Sequence, residues 1–249
     1  MLKAGDFATA SAIRGIWSPC GLSMLSSITP MTEAGRGNRF SRTARWFLVG
    51  GIVGGLSIGA LAAVVASLLA LVDLSLEARW AIGAVAAAIT ASIDLGAFGI
   101  ELPIFKRQVN DAWLRRYRSW VYGAGFGWQI GFGVATYIMT AGVFLTIALA
   151  VIGASPALAV AIGGIFGLVR GSAVYLGRGA TTPAALGAVH ARLDALGPAA
   201  RLAALSAQLL TAVVLAGAVW GLPVAAVLAA VSVAATVATT RSARPAAHA

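Results

Sequence analysis

The sequence predicts an all-α fold: a polytopic membrane helix bundle of about seven spans, two inverted three-helix repeats plus one extra C-terminal helix. Three observations carry that expectation. Of the 249 residues, 59% are hydrophobic and 10% charged, and mean hydropathy is +0.89, whereas soluble domains carry about a quarter charged residues. The apolar residues gather into windows of about 20, the length at which a helix crosses a bilayer, and no long alternating segments suggest an outer-membrane barrel. Every second connection between those windows is basic.

The first span, about 8–31, is the least apolar. It holds Arg14 and the hydroxyls of Ser11, Ser18, Ser23, Ser26, Ser27 and Thr29, and Pro30 ends it. Such a helix belongs inside the bundle. The second, about 46–72, opens with Gly50, Gly51, Gly54, Gly55 and Gly59, small residues at four-residue spacing that let helices approach closely. The third, about 80–102, carries Asp94 and Glu101 on roughly one face. The fourth, about 119–152, is glycine-rich in its first half, and the fifth, about 156–176, has Gly163, Gly167, Gly171 and Arg170. Residues 182–198 read as a short amphipathic helix at the interface. Spans six and seven cover about 201–219 and 222–240. The whole is one transmembrane domain, 1–240, divided into halves at 8–118 and 119–220 with an extra helix at 221–240 and a tail at 241–249.

The net charge of +10 could suggest nucleic acid, but the positions of the charges argue for a lipid bilayer as partner and against nucleic acid. Arg36, Arg39, Arg42 and Arg45 follow span one; Lys106, Arg107, Arg115, Arg116 and Arg118 follow span three. Arg178, Arg192 and Arg201 lie between spans five and six, and Arg241 and Arg244 follow span seven. The opposite connections carry almost no charge. The positive-inside rule then puts the N-terminus outside, the C-terminus inside, and the chain in the cytoplasmic membrane. The start of the chain lacks a basic stretch running directly into an apolar core, so the first span is expected to remain in the mature protein.

Trp17-Ser18-Pro19-Cys20-Gly21 is the stretch where chemistry concentrates. Proline removes a backbone donor and clashes with the preceding turn, so a helix through Pro19 must kink or break. Freed backbone in a bilayer survives only where protein or a water-filled cavity satisfies it. Cys20 is the single cysteine, which excludes an internal disulfide and any multi-cysteine metal site. The structural alternative is a small buried thiol in a kinked helix. An offset of 110 residues aligns Gly15 with Gly125, Gly21 with Gly131, Ser26 with Thr136 and Ile28 with Ile138. Interrupted helices at matching places in two halves point to a site at the membrane midplane.

Ser18-Pro19-Cys20 in a first span, a glycine-rich second span and Gly127-Trp128 in the fourth resemble the thiol–disulfide electron carriers of bacterial membranes, CcdA and the membrane domain of DsbD. The likeness covers roughly residues 10–220. It implies passage of reducing equivalents to or from a thioredoxin-like partner, with one cysteine in each half, and Cys20 as the catalytic thiol. The second cysteine is missing: the repeat puts Ile130 in its place, with Gln129 and Gly131 beside it. Exchange needs a thiolate and a resolving partner, so a lone Cys20 would need a thiol from another protein.

The candidate site residues are therefore Cys20 as a catalytic thiol and Arg14, Pro19, Asp94, Gln129 and Gly131 as binding residues. Asp94 stands nearest the middle of its span, where a charge is costly and usually paired or functional; a structural ion pair with Arg14 or Arg170 is the alternative. Glu101 and Arg170 lie near enough to the cytoplasmic face to snorkel. Gln129, Thr136, Tyr137 and Thr140 could line a polar path or bond neighbouring helices. No hydrolase, P-loop or zinc-protease motif is present, and His190 and His248 sit outside the spans, so no cofactor is expected. The leading function is transport of a small solute or ion, or of reducing equivalents. A thiol–disulfide oxidoreductase and a non-transporting assembly protein are the alternatives.

Overall fold

The computed structural model describes residues 4–97, Leu102 and residues 112–242. Glu101, Lys106, Arg107, Arg244 and His248 fall outside them. Among the described residues the chain is helical and without strands. Its helices are α1 (Ala4–Arg14), α2 (Pro19–Ser27), α3 (Pro30–Gly35), α4 (Phe40–Ala70), α5 (Leu76–Asp94) and α6 (Trp113–Arg116). Then come α7 (Ser119–Phe132), α8 (Gly142–Ile152), α9 (Pro156–Ser172), α10 (Pro183–Trp220) and α11 (Leu222–Ser242). Four helical stretches are long and apolar enough to cross a membrane: α4, α5, Pro156–Gly179 and α10.

Helix α4 lies between α7 and α9, and its sequence explains why. Gly50, Gly51, Gly54, Gly55, Gly59, Ala62, Ala63 and Ala66 are buried, while Val49, Val53, Leu56, Val64 and Leu68 are exposed. Small residues inside and large apolar residues outside reverse the pattern of a water-soluble bundle and suit a lipid surround. The glycines bring backbones into contact. A Cβ at Gly51 would come within 2.7 Å of Gly171 Cα, and one at Gly55 within 2.6 Å of Gly167 Cα. Cβ atoms at Gly127 and Gly131 of α7 would overlap the carbonyl oxygens of Phe47 and Gly51. Elsewhere α5 packs on α10 and α8, α1 on α8, α9 and α10, and α11 on α10.

The expected first span is broken, as Pro19 requires. Helix α1 ends at Arg14, a 3-10 turn covers Gly15–Trp17, and α2 begins with Pro19 at its first position. Proline is tolerated there because the N–H it lacks has no helical partner anyway. The Ser18 hydroxyl caps the new helix by accepting the Gly21 N–H at 3.1 Å. Pro30 starts α3 in the same way, inside a capping box of Thr29 and Thr32.

Four sequence expectations are corrected. Asp94 is not mid-helix: α5 stops there because Gly96 adopts φ +79° just beyond, a left-handed helix terminator. Gly131, which the repeat pairs with Gly21 beside the first break, is not where the second helix is interrupted; α7 runs on to Phe132, and the break falls at Gly133 (φ +81°) through Ala141. Residues 182–198 are not a separate interfacial helix but the start of the 38-residue α10, which continues through Pro198. That segment is tied to break one, since Trp17 Nε1 donates to the Leu193 carbonyl at 2.7 Å. Arg170 does not snorkel: it is 2% exposed and its guanidinium lies against Gly15, where a Cβ would overlap it.

Candidate functional site

Two broken helices meet at a polar cavity. Its volume is about 260 Å³, and its walls include Arg14 at the end of α1, Asp94 at the end of α5, Met139 and Thr140 in the second break, and Arg201 and Leu205 on α10. Arg14 and Asp94, both expected as site residues, therefore face one space.

Asp94 is held by donors from two directions. Its Oδ1 accepts the Ala141 N–H at 2.7 Å. Its Oδ2 accepts from the Thr140 hydroxyl and from Gln208 Nε2 at 2.6 Å. Helix α8 restarts at Gly142 with the positive end of its dipole facing the break. Asp94 caps that end across the bundle, while the Thr140 hydroxyl accepts the Gly142 N–H at 3.1 Å. Arg201 Nη2 donates to the Asp94 main-chain oxygen at 3.3 Å. No ion pair joins Asp94 to Arg14 or Arg170 among the described residues, where the salt bridge present is Arg36–Glu33 at 2.7 Å.

The other expected site residues lie elsewhere. Pro19 is exposed and starts α2. Gly131 packs on the Gly51 carbonyl, and Gln129 is half-buried on α7. Cys20 is 1% exposed, in an apolar cluster with Met24, Phe47, Tyr122, Phe126, Ile130 and Val174. Ile130, which the repeat matches to the missing cysteine, is thus in the same cluster as Cys20. Met24, Phe47, Ile130 and Val174 also wall a space of about 20 Å³ reached by Arg170, room for one water molecule. The Arg170 Nε and Nη2 atoms have no hydrogen-bond partner there among the described residues, and the guanidinium stands 5.8 Å from the Phe166 ring centroid.

Sequence reasoning missed two parts of this arrangement. Gln208, fully buried, lies on an apolar helix 114 residues from Asp94; a lone glutamine among alanines and leucines was the available signal. The second is a buried carboxyl at the basic end of α4. Glu33 is 0% exposed and accepts from the Tyr122 hydroxyl, at 2.8 and 2.6 Å from its two oxygens. It also accepts from Thr43 Oγ1 at 2.5 Å and Arg36 Nη1 at 2.7 Å, while Asn38 Nδ2 donates to the Tyr122 oxygen at 3.2 Å. This network ties α3, α4 and α7 together.

Two known proteins are similar in sequence. Both are methylamine utilization proteins. The chain is 28% identical over 173 residues to the methylamine utilization protein MauF of Paracoccus versutus, covering 68% of this chain and 62% of that protein. It is 29% identical over 138 residues to MauF of Methylorubrum extorquens, covering 55% of this chain and 48% of that protein. The chain thus spans between about half and three fifths of these relatives' lengths. No family model matches it, and no solved structure matches it.

Proposed function

We propose that this chain is a multi-pass protein of the cytoplasmic membrane, of the CcdA/DsbD-like kind, that moves a small solute or ion through the cavity between its two broken helices. One observation carries the reading: the polar cavity lies where the interrupted spans one and four meet, lined by Arg14, Asp94 and Thr140. Half-helix ends converging on charged groups inside a bundle are how membrane carriers build solute sites. In this reading α1–α2 and α7–α8 are broken spans that, with the four long helices and α11, bring the count to seven, N-terminus outside.

The packing supports two inverted halves. If α1, α4 and α5 correspond to α7–α8, α9 and α10, the contacts exchange: α1 with α9 answers α7 with α4, and α1 with α10 answers α8 with α5. The likeness to methylamine utilization proteins supports a role in methylamine utilization.

Burial of Cys20 favours a carrier over a thiol–disulfide oxidoreductase, because exchange needs a thiol that a partner can reach. Cys20→Ser separates the two. A strain lacking the protein should be complemented by Cys20→Ser as well as by the natural sequence. Failure of complementation, together with loss of mixed disulfides trapped on the natural protein, would establish the redox function instead.

A further inference from the structure

We propose that the cavity binds a small oxyanion, of the carboxylate, sulfate or phosphate class, between Arg14 and Arg201. The proposal rests on the carrier reading above and adds the sign and chemistry of the occupant. Two guanidiniums and one carboxyl face the cavity. The carboxyl is already spoken for: both Asp94 oxygens take hydrogen bonds from the second break and from Gln208, and the group caps α8. The guanidiniums are not. Neither forms an ion pair among the described residues, Arg201 spends one donor on the Asp94 carbonyl, and Arg14 feels repulsion from Arg201 as well as attraction from Asp94.

Each guanidinium presents five N–H donors in a rigid fork suited to two oxygens of a carboxylate or phosphate. Arg14 is half-buried and Arg201 exposed at the cavity's edge. A cation drawn into a bundle, as Arg14 is, persists where something pairs with it or it marks a pathway. The cavity's 260 Å³ is far above the roughly 10–15 Å³ that admits one water, enough for a tetrahedral oxyanion or a short carboxylate with part of its hydration. Ile93, Met139 and Leu205 supply apolar walls, so the polar recognition falls to the arginines.

The test uses the full chain in phosphatidylcholine nanodiscs, with Cys20→Ser removing the native thiol and Met139→Cys placing one on the cavity wall. Labelling by a small uncharged water-soluble methanethiosulfonate is timed with sodium sulfate, phosphate, acetate or methylammonium chloride at constant ionic strength. The oxyanions should slow labelling and methylammonium should not. Arg14→Gln and Arg201→Gln should each raise the half-protecting concentration by about tenfold to a hundredfold, the worth of a charged hydrogen-bonded contact. Arg192→Gln, exposed on α10 and away from the cavity wall, should change nothing. Protection in phosphatidylglycerol nanodiscs without added anion would identify a lipid headgroup as the source of the same chemistry. Protection by methylammonium alone, or by none of these, would overturn the oxyanion proposal and leave the carrier reading standing. No labelling of Met139→Cys at all would overturn both.

Discussion

Gly131→Leu is expected to leave no folded protein. The α-carbon of Gly131 lies so near α4 that any Cβ would overlap the Gly51 carbonyl oxygen, and a Cβ at Gly167 of α9 would overlap the same atom from the other side. Relief would need one backbone to move, and α4 is held by both neighbours. Overpacking a core with side chains costs about 1–3 kcal/mol; a backbone collision on a three-helix seam should exceed about 3 kcal/mol and abolish assembly. Size-exclusion chromatography in detergent should show aggregate or nothing. Gly187→Ala is the contrast, since nothing lies within 4 Å of a Cβ there and alanine gains about 0.5–1 kcal/mol in a helix. A Gly131→Leu protein that elutes as a single species with an unchanged melting temperature would refute the close-packed seam.

The second large effect is at Glu33. Glu33→Ala removes the shared acceptor of Tyr122, Thr43 and Arg36, and should cost about 3–5 kcal/mol, the usual penalty for breaking a buried charged pair. Tyr122→Phe keeps the carboxyl buried but takes away one donor, and should cost about 1.5–3 kcal/mol. Tryptophan fluorescence followed through thermal unfolding reads both, and the double variant should lose less than the sum because the residues share one network. Additive losses would mean that Tyr122 and Glu33 act separately.

What the sequence made legible was local chemistry. Pro19 demanded a break and there is one; glycines at four-residue spacing demanded close helices and α4 meets two; composition demanded apolar helices. Arg14 and Asp94 stood out as costly charges, and both face the cavity. The rest depended on partners distant in the chain. Gly131 and Gly133 look alike in sequence, yet one lies on the seam and the other takes the positive φ that ends α7. Glu33 carried no signal in the sequence because its partner Tyr122 is 89 positions away. Pro198 suggested an interruption, but α10 runs through it.

Exposure of the cavity to both sides of the membrane is the central requirement of a carrier. In the Cys20→Ser background, Met139→Cys should react with a membrane-impermeant thiol reagent in right-side-out vesicles and again in inverted ones, while Leu145→Cys, in the apolar core, should stay unreactive in both. Reaction of Met139→Cys from both faces is the predicted result. Reaction from one face only, or from neither, would contradict transport through this cavity.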